Sequence, residues 1–272
     1  MEKLDDIKTH WQSWADNFGD DLRATTRSSN IKKLEIKSLI RMLKKHSNKP
    51  LSELRVLEVG CGNGFNSISI AKELGCTVDG FDFIPEMVES AISNRDKIDN
   101  KLKDRVNFEV GNVLDFKVSD KYDVVFSCRC LINLPEINMQ NDAIIELSKA
   151  TKDDGILLIL ENFNDSHKLQ NDLRESVGLT RRLVADFNRF FDFNVFSKNI
   201  EDHKLRIIDE SNFSSLHDVM QYVLVPMMTG GETDYSHKVM MEVTRLMLSF
   251  TEGQEEMFGS FGQNKLIVIK HA

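Results

Sequence analysis

Hydrophobic residues along the chain follow two spacings, one typical of amphipathic helices and one typical of buried strands. Near the start, Trp11, Trp14 and Phe18 recur at helical spacing, which predicts a helix over about residues 5–18. A second helix is predicted from after Asn30 to about residue 45. Short apolar runs then predict strands over residues 54–59, 77–83, 106–110, 123–127 and 156–160. Because helical segments separate these runs, the pattern predicts an α/β fold whose parallel sheet is covered on both faces.

The second half of the chain is less regular. The polar run at residues 152–155 predicts a turn before the fifth strand, and residues 163–203 have a helical pattern. The predicted elements that follow are a strand over 205–208, helices over 216–228 and 237–250, and a strand over 265–270. Five strand–helix units followed by a late pair of strands are more specific than a general α/β pattern.

Composition narrows the class of function. The 272 residues carry a formal net charge of −8, which weighs against general nucleic-acid binding because such binding needs a basic surface. No run of about 18 apolar residues occurs, and the acidic start MEKLDDIKTH does not resemble a secretory signal. The four cysteines lack the paired spacing of a zinc site. We therefore expect a cytoplasmic protein with reduced thiols, no metal site and no membrane partner.

The strongest motif is VLEVGCGNG, in which Gly60, Gly62 and Gly64 alternate where a buried strand turns into a helix. Such a turn lets a ligand approach the backbone closely. The spacing differs from the G-x-G-x-x-G of dinucleotide-binding loops, and the Lys-Ser/Thr pair of a phosphate loop is missing. Burying the Glu58 carboxylate in this strand requires a cationic or donor partner. A ligand with an amino group and a sulfonium would fit, and so would a cation of the protein.

A second carboxylate follows the second predicted strand. Asp82 lies 18 residues after Gly64, close to the offset at which an acidic residue meets ribose hydroxyls beside such a loop. Two hydroxyl donors match the two oxygens of a carboxylate, and its charge strengthens both hydrogen bonds. The alternative for an acidic residue after a strand is solvation or helix capping. The preceding glycine loop favours the ribose contact.

Together these segments resemble the successive motifs of class I, Rossmann-like S-adenosylmethionine-dependent methyltransferases. The resemblance runs from about residue 54 to 161 through VLEVGCGNG, VDGFDFIPEMVESA, VNFEVGNVLDF, YDVVFSCRCLINLP and DDGILLILE, and KLIVIK resembles the family's last strand. It implies a seven-stranded, mostly parallel sheet with helices on both faces, an antiparallel last strand and helical cap insertions. It also implies S-adenosyl-L-methionine as the cofactor, lying across the carboxyl ends of the strands.

The resemblance assigns roles to individual residues. The methionine part of the cofactor is expected beside Glu58, Gly60, Cys61, Gly62 and Gly64, its ribose at Asp82, and its adenine beside Phe83, Ile84, Asn112 and Val113. Relatives often have aspartate where Asn112 stands, and asparagine can still accept the adenine amino proton through its carbonyl oxygen. The residues expected near the methionine carboxylate or the reacting centre are Ser127, Cys128 and Arg129. A surface salt bridge is the equal alternative for Arg129.

The expected covers of the site lie outside the matching motifs. Residues 1–48 form a predicted N-terminal helical cap, and the domain over 49–272 has cap insertions at about 162–203 and 212–258. HWQSWADNFG resembles the opening of small-molecule members of the class, which places Trp14 over the cofactor. Simple core packing is the alternative for each aromatic residue there.

The acceptor is less defined. Glu161 and His167, after the fifth strand, are the candidate general bases, with Arg129 as a third residue near the chemistry. The arginines of the first insertion indicate an anionic acceptor or a solvated helical face, and they are Arg174, Arg181, Arg182 and Arg189. Phe187-Asn188 stands where some sugar-modifying relatives have His-Asn, so a histidine base is missing there.

The main hypothesis is methyl transfer from S-adenosylmethionine to an oxygen or nitrogen of a small molecule, such as a sugar, a glycan precursor or a secondary metabolite. A protein or nucleic-acid methyltransferase is an alternative, although no Asn-Pro-Pro-Tyr motif follows the fourth strand. A non-catalytic S-adenosylmethionine-binding protein is another. A nicotinamide dehydrogenase is disfavoured by the loop spacing and by Glu58. A homodimer is left open, since the two late helices could cap the site or pair between subunits.

Overall fold

A computed structural model describes residues 2–116 and 121–272 of the chain. Seven strands form one sheet. They are β1 Arg55–Val59, β2 Thr77–Asp82, β3 Val106–Val110, β4 Tyr122–Cys128, β5 Thr151–Asn162, β6 Leu205–Ser211 and β7 Asn264–His271. Their order across the sheet is β3-β2-β1-β4-β5-β7-β6. Strands β1 to β5 pair in parallel, and β7 runs antiparallel to both of its neighbours. The predicted fold class, a seven-stranded mostly parallel sheet with an antiparallel last strand, is confirmed.

Helices cover the sheet and its carboxyl edge. They are α1 Glu2–Phe18, α2 Ser29–His46, α3 Phe65–Leu74, α4 Pro85–Asp96, α5 Asn100–Lys103, α6 Ile137–Ala150, α7 Asn164–Ser176, α8 Phe193–Asp202, α9 Ser215–Val219, α10 Val225–Met228 and α11 Lys238–Leu248. A π-helical turn, Met220–Leu224, joins α9 to α10. Within the described residues, no helix is both long enough and apolar enough to cross a membrane.

Two apolar cores lie on opposite faces of the sheet because successive strand residues point to opposite sides. Val56 of β1 packs in one core and the next residue, Leu57, in the other. Helix α2 contributes Leu34 and Leu39 to the first core, and both are buried. The sequence placed α2 in an N-terminal cap, whereas the structure packs it against the sheet.

The predicted turn at residues 152–155 is wrong, because β5 continues through it. Tyr122 pairs with Thr151 and Val124 pairs with Ile156, so the four residues between them bulge out of register with β4. Lys152 explains how a polar run fits inside a strand, since its Nζ lies 2.8 Å from the Asp123 carboxylate. Bulges accommodate extra residues on one strand without ending the pairing.

The predicted helix over 163–203 is also wrong in its middle third. Helices α7 and α8 flank an irregular segment, residues 177–192. Gly178 has a left-handed φ of +79°, and the guanidinium of Arg174 donates to the Thr180 carbonyl, 2.8 Å away. These local bonds replace helical ones. Asp192 then caps α8 by accepting from the backbone of Asn194 and Val195.

The topology opens a cleft at one place. From β1 the sheet continues to β2 on one side and to β4 on the other, so the connections that leave the carboxyl ends of β1 and β4 diverge. Such a switch point is where open α/β sheets bind ligands. The VLEVGCGNG motif covers β1 and this point.

Candidate active site

The glycine loop leaves β1 in a conformation that side chains rarely adopt. Gly60, Gly62 and Gly64 have φ values of +72°, +51° and +80°. A Cβ atom at Gly60 would overlap the Cys130 sulfur, which packs directly above the loop. Gly60 and Gly62 line the cleft, while Gly64 lies behind it at the start of α3 and packs against Phe108. The expectation that Gly64 lines the cleft is therefore corrected.

Glu58 lies beneath the loop and does not line the cleft. Its carboxylate accepts hydrogen bonds from the Asn66 amide at 2.8 Å, the Ser67 hydroxyl at 2.5 Å and the Ser67 backbone N–H at 3.0 Å. Burial raises the pKa of Glu58 to about 7. The partner that the sequence required for this carboxylate is thus the first turn of α3, and no ligand cation is needed. Glu58 holds the loop in place.

Asp82 ties the end of β2 to the glycine loop and lines the cleft. One carboxylate oxygen accepts from the Gly62 N–H at 2.8 Å, and the other accepts from the Ile84 N–H at 2.9 Å. Burial raises the pKa of Asp82, opposed by these N–H donors. Each carboxylate oxygen keeps a lone pair for a further donor. Asp82 is therefore able to hold the loop and accept hydroxyl groups of a ligand.

The loop after β3 forms the next wall of the cleft. The Gly111 N–H donates to the Asp82 carbonyl at 3.0 Å, which joins this loop to the end of β2. Asn112 and Val113 both line the cleft, Asn112 at its open rim. The Asn112 side-chain oxygen accepts from the Leu114 N–H at 3.0 Å.

A cluster of charged groups lies at the opposite end of the cleft. Glu35 of α2 is completely buried, and its carboxylate lies 3.1 Å from Lys32 Nζ and 2.6 Å from Arg129 Nε. Burial opposes its ionisation, but Arg129 and Lys32 outweigh that effect and lower the pKa of Glu35 to about 2. Two cations share one carboxylate here, so the cluster keeps a net positive charge. Lys32 and Arg129 both line the cleft.

Helix α1 covers the cleft. The Trp11 indole N–H donates to the Asn133 side chain at 3.1 Å, and Gln12 donates to Glu86 at 2.7 Å, so α1 is fastened to both sides of the opening. Trp11 lines the cleft and Trp14 does not. Trp14 instead packs against Phe18, with the Arg27 guanidinium over its ring. The aromatic residue at the cleft is one helical turn earlier than expected.

Ser127 and Glu161 also lie behind the cleft and do not line it. Both are completely buried, and the Ser127 hydroxyl donates to the Glu161 carboxylate at 2.6 Å. The same carboxylate accepts the backbone N–H groups of three consecutive residues, Cys130, Leu131 and Ile132, at 3.0–3.3 Å. Burial raises the pKa of Glu161 to about 7. Glu161 therefore shapes the loop after β4, a positioning role that replaces the expected role as base.

His167 is buried, and the arginines of the first insertion contact other residues of the protein. His167 is buried outside the cleft, and burial together with Arg182 and Arg181 lowers its pKa to about 4. Arg174 and Arg189 donate to backbone carbonyls, and Arg181 pairs with two carboxylates of α7. Arg182 donates to Gln263 and stacks on Tyr222. None of these arginines lines the cleft, so they give no support to an anionic acceptor.

The cleft encloses about 1120 Å³, open solvent included. The predicted residues that line it are Gly60, Cys61, Gly62, Asp82, Phe83, Ile84, Asn112, Val113, Cys128 and Arg129. Sequence reasoning missed Lys32, Trp11 and Thr25. A lysine in the first turn of α2 opposes the helix dipole, but the exposed Lys33 follows Lys32 directly, so the position in the helix does not single out Lys32.

Comparison with known proteins agrees with this geometry. A family model described as a methyltransferase domain matches residues 50–210. The chain belongs to this methyltransferase family. The family that the glycine loop and the following motifs predict is therefore confirmed.

Individual relatives of this methyltransferase are distant. The chain is 32% identical over 113 residues to a ubiquinone biosynthesis O-methyltransferase of Pelagibacter ubique, which covers 42% of this chain and 44% of that protein. An uncharacterised protein of Haemophilus influenzae is 27% identical over 130 residues, 46% of this chain and 51% of the relative. The chain thus spans about half or less of the length of these relatives.

A solved structure extends the likeness to the whole fold. The magnesium protoporphyrin IX methyltransferase of Synechocystis PCC 6803, crystallised with bound S-adenosylmethionine, superposes with a TM-score of 0.62. The superposition covers 100% of this chain and 98% of the other at 14% identity. At that identity the match supports the class I methyltransferase fold.

Proposed function

We propose that the protein transfers a methyl group from S-adenosyl-L-methionine to an oxygen or nitrogen of a small molecule. One observation carries the proposal. A single cleft presents a carboxylate beside a glycine loop at one end and two cations, the buried Lys32 and the partly buried Arg129, at the other. A nucleoside joined to an amino acid has the matching groups, ribose hydroxyls and a free carboxylate. A dinucleotide has phosphates at its centre, and the loop spacing does not provide for them.

Arg129 and Lys32 are the proposed receptors of the methionine carboxylate. Burial weakens their solvation, so a ligand carboxylate between them would make charge-assisted hydrogen bonds. The carboxylate of Glu35 neutralises part of their charge and keeps both side chains in place. Arg129 also has a positive φ of +53°, a conformation that costs energy in a residue other than glycine. Strain of this kind clusters at functional sites.

The glycine loop and Asp82 are the proposed receptors of the adenosine. The backbone at Gly60 and Gly62 allows close approach of the ligand, and Asp82 accepts the ribose hydroxyls. Phe83 and Ile84 line the cleft beside Asp82 and would contact the flat faces of the base. Cys61, Val113 and Cys128 complete the lining between these groups.

The acceptor is proposed to lie between Trp11 and the loop after β4. When bound, S-adenosylmethionine would supply a methyl group to a lone pair on the oxygen or nitrogen of the acceptor, and S-adenosylhomocysteine and the acceptor's proton would leave. The protein has to align the acceptor and exclude water. Trp11, Leu134 and the α1 cover provide apolar walls for this purpose. The ubiquinone O-methyltransferase among the relatives supports an oxygen acceptor.

Thermal shift tests the cofactor. S-adenosylhomocysteine should raise the melting temperature, because it stabilises the folded protein by RT ln(1 + [L]/Kd), and NAD should not raise it. Asp82→Asn keeps an acceptor for one loop N–H and should weaken the shift. Stabilisation by NAD alone would contradict the proposal.

A transfer assay tests the acceptor class. Protein incubated with methyl-labelled S-adenosylmethionine should label components of a metabolite or glycan extract. Label found in tRNA or protein alone would favour the alternative classes. Cofactor binding without any labelled product would favour a non-catalytic binding protein.

A further inference from the structure

A second cavity lies between the amino end of helix α2 and one face of helix α11. We call it the α2–α11 cavity. It encloses about 890 Å³, open solvent included. Among the residues that line it are Ser29, Asn30, Lys33, Met241, Arg245 and Leu248. None of these residues lines the cleft, so a ligand in this cavity would contact different side chains from those proposed to hold the methyl donor.

The amino end of α2 has no cap. Ser28 precedes the helix, but its side chain makes no capping hydrogen bond, and its Oγ is buried without a partner. In the part of the chain that the structure describes, the backbone N–H groups of residues 29–31 have no acceptor. Free N–H groups at the start of a helix attract anions, because they carry the positive end of the helix dipole.

Asn30 is the side chain that indicates a ligand beside this helix end. Asn30 lines the α2–α11 cavity and is only 8% exposed. Among the described residues its amide has no hydrogen-bond partner, yet neither amide atom is sealed from solvent. A largely buried amide costs free energy unless water or a ligand completes its hydrogen bonds. The Nδ2 donors of Asn30 are therefore available to a ligand in the cavity.

The charged groups around Asn30 are mainly cationic. Lys33 is exposed and forms no ion pair with any residue that the structure describes. Arg245 donates from Nε and Nη2 to the Glu242 carboxylate, at 2.9 and 2.6 Å, which leaves its Nη1 donors for a ligand. Asp234, the nearby acid before α11, accepts from the backbone and hydroxyl of Ser236. Because Glu242 offsets the charge of Arg245, Lys33 and the α2 dipole supply the positive potential.

These donors match a phosphate monoester. A phosphate monoester carries close to two negative charges and three acceptor oxygens, so it needs several N–H donors at once. The free backbone N–H groups, Asn30, Lys33 and Arg245 provide them. Met241 and Leu248 line the same cavity and are 60% and 40% exposed, so they offer apolar surface to the organic part of the ester. We propose that the α2–α11 cavity binds a small phosphate monoester with an apolar organic group, at a site separate from the methyl-transfer cleft.

Calorimetric titration with phenyl phosphate tests this site. S-adenosylhomocysteine is present in excess, so that the phosphate does not occupy Lys32 and Arg129 in the cleft. The native protein should bind phenyl phosphate with a Kd of about 1 mM or lower. Lys33→Met should weaken binding by about tenfold or more, as expected for a lost charge-assisted hydrogen bond. Lys44→Met removes the same charge near the opposite end of α2, where Lys44 pairs with Glu73, and should leave the affinity unchanged.

Asn30→Asp separates binding from folding. It places a carboxylate where the phosphate is expected, so phenyl phosphate binding should be lost. An acidic residue in the first turn suits the helix dipole, so the melting temperature should stay the same or rise.

Benzoate tests the ligand class, because it joins the same ring to a singly charged carboxylate. The native protein should bind benzoate at least about tenfold more weakly than phenyl phosphate. Equal affinity for the two compounds would overturn the phosphate class. Native protein that does not bind phenyl phosphate, or equal affinity of the native protein and either Lys33→Met or Asn30→Asp, would overturn the site.

Discussion

Arg129 Nε lies 2.6 Å from Glu35 Oε1, so a residue of helix α2 holds the first residue after strand β4. The positive φ of Arg129 places its side chain toward the cleft while its N–H still donates to the Leu160 carbonyl. Glu35 is completely buried. Through this pair, the N-terminal part of the chain sets the geometry of the central switch point.

Glu35→Gln should lower the free energy of unfolding at pH 7. The carboxyl pKa falls from 4.5 to about 2 in the folded protein, which corresponds to roughly 3 kcal/mol of stability. Because the folded pKa is lowered, that contribution is complete above about pH 4.5 and is lost as the pH falls toward 2. Urea unfolding at pH 7 and pH 3 measures both effects.

The variant should therefore be less stable at pH 7 and lose less stability on acidification. Glu53→Gln, at an exposed glutamate, is the control and should resemble the native protein at both pH values. Equal acid sensitivity of Glu35→Gln and the native protein would mean that Glu35 is not the group that titrates.

Lys32→Met should weaken S-adenosylhomocysteine binding by about tenfold to a hundredfold, the range of a charge-assisted hydrogen bond. Binding of 5′-methylthioadenosine, which lacks the amino-acid part, should change little. Calorimetry with both ligands measures the difference. Lys33→Met is the matched control, since the neighbouring lysine is exposed and does not line the cleft. Equal losses for the two ligands would place Lys32 elsewhere in the binding site.

Gly60→Ala should abolish cofactor binding and destabilise the fold. The new methyl group would collide with the Cys130 sulfur, in addition to the strain of a φ of +72°. Gly178→Ala separates the two effects, because Gly178 has a φ of +79° and open space around it. We expect Gly178→Ala to lose about 1–2 kcal/mol of stability with its binding intact. If Gly60→Ala bound S-adenosylhomocysteine normally, the loop would not approach the ligand.

The fluorescence of the chain should report on ligand binding through Trp11. The chain has two tryptophans, and both lie on α1. In Trp14→Phe, the remaining Trp11 should change its emission when S-adenosylhomocysteine binds, with nearly native affinity. Trp11→Phe should lose the signal and about fivefold in affinity, because the hydrogen bond that closes α1 over the cleft is lost. The reverse pattern would restore Trp14 as the cofactor contact.

The parts of the fold that depend on local sequence were predictable. Strand β1 and the glycine loop combine an apolar run with three glycines, and a few adjacent residues determine both. The 152–155 bulge was not predictable, because a turn and a bulge use the same polar residues and glycine. Only the pairing of Tyr122 with Thr151 distinguishes them.

The site was predictable where its residues follow the strands and less so elsewhere. Asp82 and Arg129 are placed in the cleft by the ends of β2 and β4. Glu161 follows β5 in the same way, yet the N–H groups of the loop after β4 turn its carboxylate away from the cleft. Lys32 reaches the cleft through the packing of α2 on the sheet, and no short motif encodes that contact.

Helix α2 sets the minimum length of the fragment that we expect to fold and bind the cofactor. The family model begins at residue 50, but Lys32 and Glu35 lie upstream of it, within a helix that shares the core of the sheet. A fragment trimmed to the family boundary would retain every glycine of the loop and still expose apolar strand surface. Arg129 would lose its carboxylate partner in that fragment. The recognisable module is therefore shorter than the smallest piece of this protein that we expect to fold and bind its cofactor.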